Sequence, residues 1–174
     1  MPLTFLVGGA RSGKSSLAAR LAGEGGGRVT YVATAEPRDD EKAQRIATHR
    51  AERPAAWTTV EAPLGLTDAV TGIGTDTCIV LDCLTVWVSN ALEVGSDDDA
   101  IVGEASALAS NLATRTTAPS IVVSNEVGMG IVPVNALARR YRDVLGRVNA
   151  AVASTADSSY LVVAGHALAL ERLG

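Results

Sequence analysis

The chain has little with which to build several common kinds of site. Among its 174 residues are two cysteines, two histidines and two lysines. Cys78 and Cys83 lie in or beside one apolar run. Two thiols make neither a disulfide framework nor a zinc spacing, so a reduced, cytoplasmic setting is expected. His49 and His166 stand far apart with no Cys/His cluster near either, which leaves no protein-made transition-metal site. No apolar run reaches the roughly 18 residues of a membrane helix, so no transmembrane segment is expected. The first residues lack a basic region and a cleavage site, and no signal peptide is expected. The chain has no N-x-[ST] site, no internal repeat and no heptad. Positive charge is short overall, with a net charge of −4 and a pI near 5.1. That balance excludes a nucleic-acid binder acting by bulk charge, so basic groups must act locally.

What is present suits one domain. At 47% hydrophobic, 174 residues can bury a sizeable core. Five apolar runs, at 3–7, 28–34, 77–82, 120–126 and 159–165, read as strands. They are near-continuous rather than alternating, as parallel strands covered on both faces require. "WTTVE" (57–61) reads as a sixth, shorter strand. Helical segments fall at 15–22, about 39–52, 97–115 and 133–156. Pro133 suits the first turn of the last helix, and Asp97, Asp98 and Asp99 suit the positive start of theirs. The patch "GEGGG" (23–27) reads as a loop. This alternation predicts an α/β fold in one domain, 1–174, with a mostly parallel sheet flanked by helices. Ligands in such sheets bind beyond the carboxyl ends of the strands.

The loop after the first strand reads "GGARSGKS": Gly8, Gly9, Ala10, Arg11, Ser12, Gly13, Lys14 and Ser15. It fits the phosphate-binding pattern G-x-x-x-x-G-K-[ST]. Glycines let backbone N–H groups turn toward a polyphosphate, and the following helix directs its positive end at the same anion. Lys14 would contact the β- and γ-phosphates, and the Ser15 hydroxyl would ligate Mg²⁺. A glycine-rich turn without ligand is the competing reading. The chain has thirteen arginines against two lysines, yet keeps a lysine where a compact point charge is wanted. Asp82 ends the third run, a usual place for a carboxylate near Mg²⁺. A strand-terminal turn cap is its alternative. Switch GTPases need an N/T-K-x-D sequence, and none occurs.

The segment "RIATHRAERPAAW" gathers Arg45, Arg50 and Arg53 around His49. Acidic residues lead the expected helix and basic residues trail, which complements its dipole. Solvated helix-end cations are the bland reading. At helical spacing, however, Arg45, His49 and Arg53 share a face. Guanidiniums keep a neighbouring imidazole neutral, hence nucleophilic, and bind phosphate oxygens bidentately. Such a histidine can hold a nucleotidyl or phosphoryl group. After the fourth run, Glu126 could accept an alcohol proton, or serve only a turn built on Gly128 and Gly130. Arg139, Arg142 and Arg147 fall within an arc of roughly 140° on the last helix. They would meet the acidic or phosphate groups of a substrate, a neighbouring subunit or solvent. Trp57 and Trp87 read as packing residues.

The segments "GGARSGKS", "YVATA", "DDEKAQRIATHR", "RPAAWTTVE", "LDCLTVWVSN" and "SNEVGMGIVPVNALARRYRDVLGRVN" follow one another in a specific order. Together they resemble the bifunctional adenosylcobinamide kinase/adenosylcobinamide-phosphate guanylyltransferase family of cobalamin biosynthesis, from residue 3 to about 165. The resemblance implies a P-loop NTPase fold with a RecA-like sheet, assembled as a homotrimer. It implies phosphorylation of adenosylcobinamide by a nucleoside triphosphate, ATP or GTP. GMP from GTP then passes to adenosylcobinamide phosphate through a guanylyl-histidine, which falls on His49. The implied nucleotide contacts are the loop Gly8 to Ser15, then Ala33, Thr34, Ala35, Arg50, Ala51, Glu52, Arg53, Glu61 and Asp82. Lys14 and Asp82 join His49 as catalytic residues, and Ser15 and Asp82 would meet Mg²⁺ through the nucleotide. A small-molecule kinase using the phosphate loop alone would leave the His-Arg segment unexplained. A nucleotide-gated binding module would bind nucleotide without turnover.

Overall fold

Seven strands of the described residues form one sheet. The computed structural model describes residues 3–37, 44, 47, 50–51 and 53–172. The strands are β1 (Leu3–Gly8), β2 (Val29–Ala33), β3 (Thr58–Glu61), β4 (Cys78–Asp82), β5 (Ser120–Asn125), β6 (Ser158–Val163) and β7 (His166–Leu170). They lie in the order β3-β2-β4-β5-β1-β6-β7, and all neighbours pair in parallel except β6 and β7, which form an antiparallel hairpin. The helices that lie wholly within the described residues are α1 (Lys14–Glu24), α2 (Leu66–Thr71), α3 (Leu84–Glu93), α4 (Asp98–Ala113) and α5 (Ala136–Thr155).

The near-continuous apolar runs have the cause that the sequence suggests. Leu3, Phe5 and Val7 of β1 enter one core, while Leu6 enters the other. In β4 and β5 the same parity holds: Ile79, Leu81 and Val122 face one side, Val80, Ile121 and Val123 the other. The first core is covered by α2, α3, α4 and α5, the second by α1 through Ala18 and Ala22. Trp87 is fully buried in the first core, and Trp57 packs against the second. Burying a large apolar side chain contributes about 1.5–3 kcal/mol.

Helix starts follow local chemistry. Asp97 caps α4, accepting from the backbone N–H groups of Asp99 at 2.9 Å and Ala100 at 3.3 Å. Asn135 caps α5, accepting from Ala138 N at 3.0 Å. Pro133 therefore stands before the α5 cap rather than in its first turn. Instead its carbonyl accepts from Arg139 at 3.0 Å. α1 extends through Gly23 and Glu24, so the glycine patch becomes loop only after it. Arg115 lies beyond α4 and is 4% exposed. Its guanidinium donates to the carbonyls of Ile73, Gly74 and Thr77 at 2.9, 2.7 and 2.8 Å.

Three elements go beyond the sequence expectation: α2, α3 and β7. Of the ten residues of α3, seven are buried. It follows β4 after Cys83 alone, so strand and helix read as one apolar stretch. β7 is exposed along its length, so it carries no burial pattern. A two-residue turn, Ala164 (φ 48°) and Gly165 (φ 81°), joins it to β6. Two successive positive φ values match the right-handed twist of a hairpin.

Candidate active site

Register brings the carboxyl ends of five neighbouring strands together. Gly8 stands opposite Asn125, and Ala33 stands opposite both Asp82 and Glu61. The loop from Gly8 to Lys14 leaves β1 into this edge. Gly13 (φ 102°) caps α1 in a conformation that favours glycine, and Arg11 has a φ of 56°. Gly8 is required by crowding, because an added Cβ would lie 2.1 Å from the Val162 carbonyl oxygen. Gly165 N donates to the Ser12 carbonyl at 2.8 Å, so the hairpin turn braces the loop from behind.

Lys14 begins α1 and is only 6% exposed. Its Nζ donates to the Gly9 carbonyl at 2.6 Å and to Ser12 Oγ at 3.1 Å. Burial lowers its pKa, an effect opposed by nearby Cys83 and Asp82. The ammonium is thus folded into its own loop. Gly9, Arg11 and Ser15 are exposed at the same edge, and Ala10 lies in the turn between them.

Asp82 ends β4 beside Lys14. Its Oδ2 accepts from the Tyr31 hydroxyl at 2.6 Å. Tyr31 comes from β2, and burial, with Asp82 next, raises its pKa, so the phenol remains a donor. Arg53 lays its guanidinium over the Tyr31 ring, 3.5 Å from the centroid. Arg53 Nη1 also donates to Thr59 Oγ1 at 3.4 Å. Arg50 and Ala51 are helical and exposed, and Arg50 approaches Glu61 at 3.8 Å. The chain through Arg53, Tyr31 and Asp82 therefore links the arginine segment to the phosphate-loop edge.

Thr34 is fully buried. Its hydroxyl donates to the Cys83 carbonyl at 2.8 Å and accepts from Cys83 N at 3.0 Å. The Asp82–Cys83 peptide that it holds is cis. Asn90 of α3 donates to the Thr34 carbonyl at 2.9 Å and to the Pro63 carbonyl at 3.1 Å. Burial pushes the Cys83 thiol up to about 11, so it is neutral at ordinary pH. Ala33 and Ala35 flank Thr34 and are partly exposed.

The structure thus brings the loop Gly8 to Ser15, the Ala33 to Ala35 stretch, Arg53, Glu61 and Asp82 to one edge of the sheet. His49, Arg45 and Glu52 lie outside the described residues. Sequence reasoning missed Tyr31. A lone tyrosine within an apolar strand was its only signal, and the pairing of β2 with β4 that lets its hydroxyl reach Asp82 is invisible before folding. Among the described residues no cluster of three His, Cys, Asp or Glu side chains could hold a metal unaided. Ser15 offers an exposed hydroxyl and Asp82 a carboxylate, two hard-oxygen donors at this edge. That pair fits Mg²⁺, which keeps waters and phosphate oxygens in its shell.

Comparison with known proteins decides the family. The family described as "Cobinamide kinase / cobinamide phosphate guanyltransferase" matches residues 4–170. The chain belongs to this family. A relative from Pseudomonas aeruginosa, "Bifunctional adenosylcobalamin biosynthesis protein CobP", is 44% identical over 162 residues, covering 92% of each chain. The Salmonella typhimurium protein "Bifunctional adenosylcobalamin biosynthesis protein CobU" is 40% identical over 175 residues, covering 94% of this chain and 96% of the relative. Among solved structures, a type III secretion ATPase aligns with a TM-score of 0.58 at 12% identity. It covers 92% of this chain and 50% of that one. The RadB recombinase aligns with a TM-score of 0.53 at 19% identity, covering 91% and 73%. These likenesses show the fold alone: a mostly parallel, P-loop NTPase sheet of the RecA-like kind. The phosphate loop of the cobinamide kinase family member described here therefore sits in the setting that its sequence pattern requires.

Proposed function

We propose that this chain phosphorylates adenosylcobinamide with ATP or GTP and then transfers GMP from GTP to adenosylcobinamide phosphate. The observation that carries this reading is the family match across residues 4–170 together with an intact phosphate loop. That span includes the His-Arg segment, which favours two transfers over a single-activity kinase or a binding module without turnover.

In the kinase step, the backbone N–H groups of Gly8 to Ser15 and the positive end of α1 hold the triphosphate. Lys14 moves its ammonium from the Gly9 carbonyl onto the β- and γ-phosphate oxygens. Ser15 and Asp82 would hold Mg²⁺ through the nucleotide. Bound there, that ion supplies charge neutralisation for the phosphates. Tyr31 fixes the orientation of Asp82 by its 2.6 Å hydrogen bond. Ala33, Thr34, Ala35, Arg50, Ala51, Glu52, Arg53 and Glu61 contribute the remaining nucleotide contacts.

In the guanylyl step, His49 attacks the α-phosphorus of GTP as a neutral imidazole and expels pyrophosphate. The phosphate of the acceptor then displaces the histidine and takes the GMP. The family relationship supports a homotrimer and action in the cytoplasm. No helix among the described residues is long and apolar enough to cross a membrane.

The test labels the protein with GTP carrying ³²P at the α or the γ position. The α-label is expected on wild-type protein, acid-labile and alkali-stable, and the γ-label is not. His49→Asn should abolish the α-label and guanylyl transfer while keeping kinase turnover. Full α-labelling of His49→Asn would place the nucleophile elsewhere.

A further inference from the structure

Between the phosphate loop and Asp82 stands Asn125, the last residue of β5. Its strand lies between β1, which leads into the loop, and β4, which ends on Asp82. Asn125 is opposite Gly8, the first residue of the loop. Strand alternation sets its direction. Ser124 turns toward α5, where its hydroxyl donates to Asn149 Oδ1 at 2.6 Å. Ile121 and Val123 lie in the core that α1 covers, so Asn125 projects to the α1 side as well. Asp82 has the same parity, because Val80 belongs to that core. Helix α1 packs against both β4 and β5 and starts with Lys14 at this edge. Asn125, Asp82 and Lys14 therefore converge on the space in front of the loop.

The fold fixes the backbone of Asn125 and leaves its side chain idle. The Asn125 N–H donates to Thr85 Oγ1 at 2.7 Å, and its carbonyl accepts from Asn149 Nδ2 at 3.0 Å. Thr85 and Asn149 are both buried. Tyr141 steadies Thr85 by donating to its carbonyl at 3.1 Å. Next along the chain, Glu126 N donates to the Gly8 carbonyl at 3.1 Å, and the Glu126 carboxylate accepts from the Gly128 N–H. Asparagine at a strand end ordinarily bonds nearby backbone through its side chain. Here other residues hold that backbone. The Asn125 amide makes no hydrogen bond among the described residues, and the residue is partly exposed. Partial burial of an unpaired amide costs stability and gives the fold nothing in return.

The loop indicates what the amide would meet. Backbone N–H groups and the start of α1 enclose the inner phosphates of a triphosphate. Lys14 reaches the β- and γ-phosphates, so the terminal phosphate lies beyond the loop, over the ends of β4 and β5. An amide N–H directed there finds an anionic oxygen as its acceptor.

We propose that Asn125 is a catalytic contact to the terminal phosphate, donating from Nδ2 to a γ-phosphate oxygen. The inference rests on the reading of residues 8–15 as a triphosphate loop and adds a donor from the strand beside it. A diphosphate has no atom at that place. The contact therefore favours the triphosphate substrate over the diphosphate product. During transfer, charge rests on the γ-phosphoryl oxygens, so the same donor acts in the transition state.

Calorimetry of ATP and ADP binding, each with Mg²⁺, tests the assignment, with thermal melts reporting folding. Asn125→Ala should raise the Kd for ATP about tenfold and leave the Kd for ADP within about twofold. Its kcat for phosphorylation of adenosylcobinamide should fall about 10-fold to 100-fold. Asn125→Asp keeps the size of the side chain and sets a carboxylate against the phosphate. It should raise the Kd for ATP about 30-fold or more, with ADP again little changed, and it carries the test if the alanine variant fails to fold. Wild-type protein that binds neither nucleotide would overturn the phosphate-loop reading and the contact together. With a wild type that binds both, equal weakening of ATP and ADP would make Asn125 a support of the loop and overturn the contact alone. ATP binding within twofold of wild type in the folded variants would overturn it as well.

Discussion

Replacing Lys14 with methionine separates what the ammonium does for the nucleotide from what it does to the fold. Methionine keeps the length of the stem and removes the charge. In the folded chain the ammonium makes two hydrogen bonds, 2.6 Å to the Gly9 carbonyl and 3.1 Å to Ser12 Oγ. Each is a bond from a charged donor, worth about 1.5–3 kcal/mol. Against them stands the desolvation of a cation that is 6% exposed. The two terms are of similar size, so the melting temperature of Lys14→Met should stay near that of the wild type or rise. Activity has no such offset. The phosphates lose their one buried cation from the loop, and removing a donor to a developing charge costs about 2.7–4 kcal/mol, or 10²–10³ in kcat. Calorimetry of ATP binding, a melt and a turnover assay on one preparation give all three numbers. The pH dependence gives a further check. Burial places the native Lys14 pKa below its usual 10.5. The unfolded chain therefore binds more protons in the window up to 10.5, and stability gains with pH there. Lys14→Met should lack that gain. Turnover within threefold of wild type would refute the assignment of Lys14 to the phosphates.

Two further substitutions probe the frame on either side of the site. Gly8→Ala puts a Cβ 2.1 Å from the Val162 carbonyl oxygen. It should destabilise the chain by about 1–3 kcal/mol and weaken ATP binding, so a melt and an affinity that both match the wild type would contradict the crowding. Arg115→Met strands the carbonyls of Ile73, Gly74 and Thr77, at the opposite ends of the strands. A loss of about 2–4 kcal/mol in chemical denaturation is expected, with kcat at 25 °C unchanged. A selective loss of kcat would be inconsistent with a purely structural clamp.

How much of this was legible beforehand depended on range. The phosphate loop was legible because its chemistry is local: eight consecutive residues, a strand before and a helix after. Asp82 was legible from its place at the end of an apolar run. Tyr31 was not, because its meaning lies in the parallel pairing of β2 with β4, some fifty residues apart. Helix α3 was hidden because only Cys83 separates it from β4, so buried apolar residues run on from strand to helix. Strand β7 was hidden for the opposite reason, since every one of its residues is exposed and none marks a core face. Arg142 could be placed on a helix face with Arg139 and Arg147. Only the folded contacts reveal that Arg139 and Arg147 are engaged while Arg142 Nη1 has no partner among the described residues.

The brace behind the phosphate loop ties the two ends of the chain into one mechanical unit. Residues 8–13 take their shape against residues 162–165, through the Gly165 N–H, the Val162 carbonyl and a close approach of Gly165 Cα to Gly13. A loop held from behind has less freedom to lose when a triphosphate arrives, so less of the binding energy goes into ordering it. Coupling of this kind runs both ways. A nucleotide that stiffens the loop must also stiffen the hairpin, which makes the outermost and least buried strand of the sheet a remote reporter of occupancy. The β1–α1 unit excised by itself would keep the motif but lose the backing that shapes it.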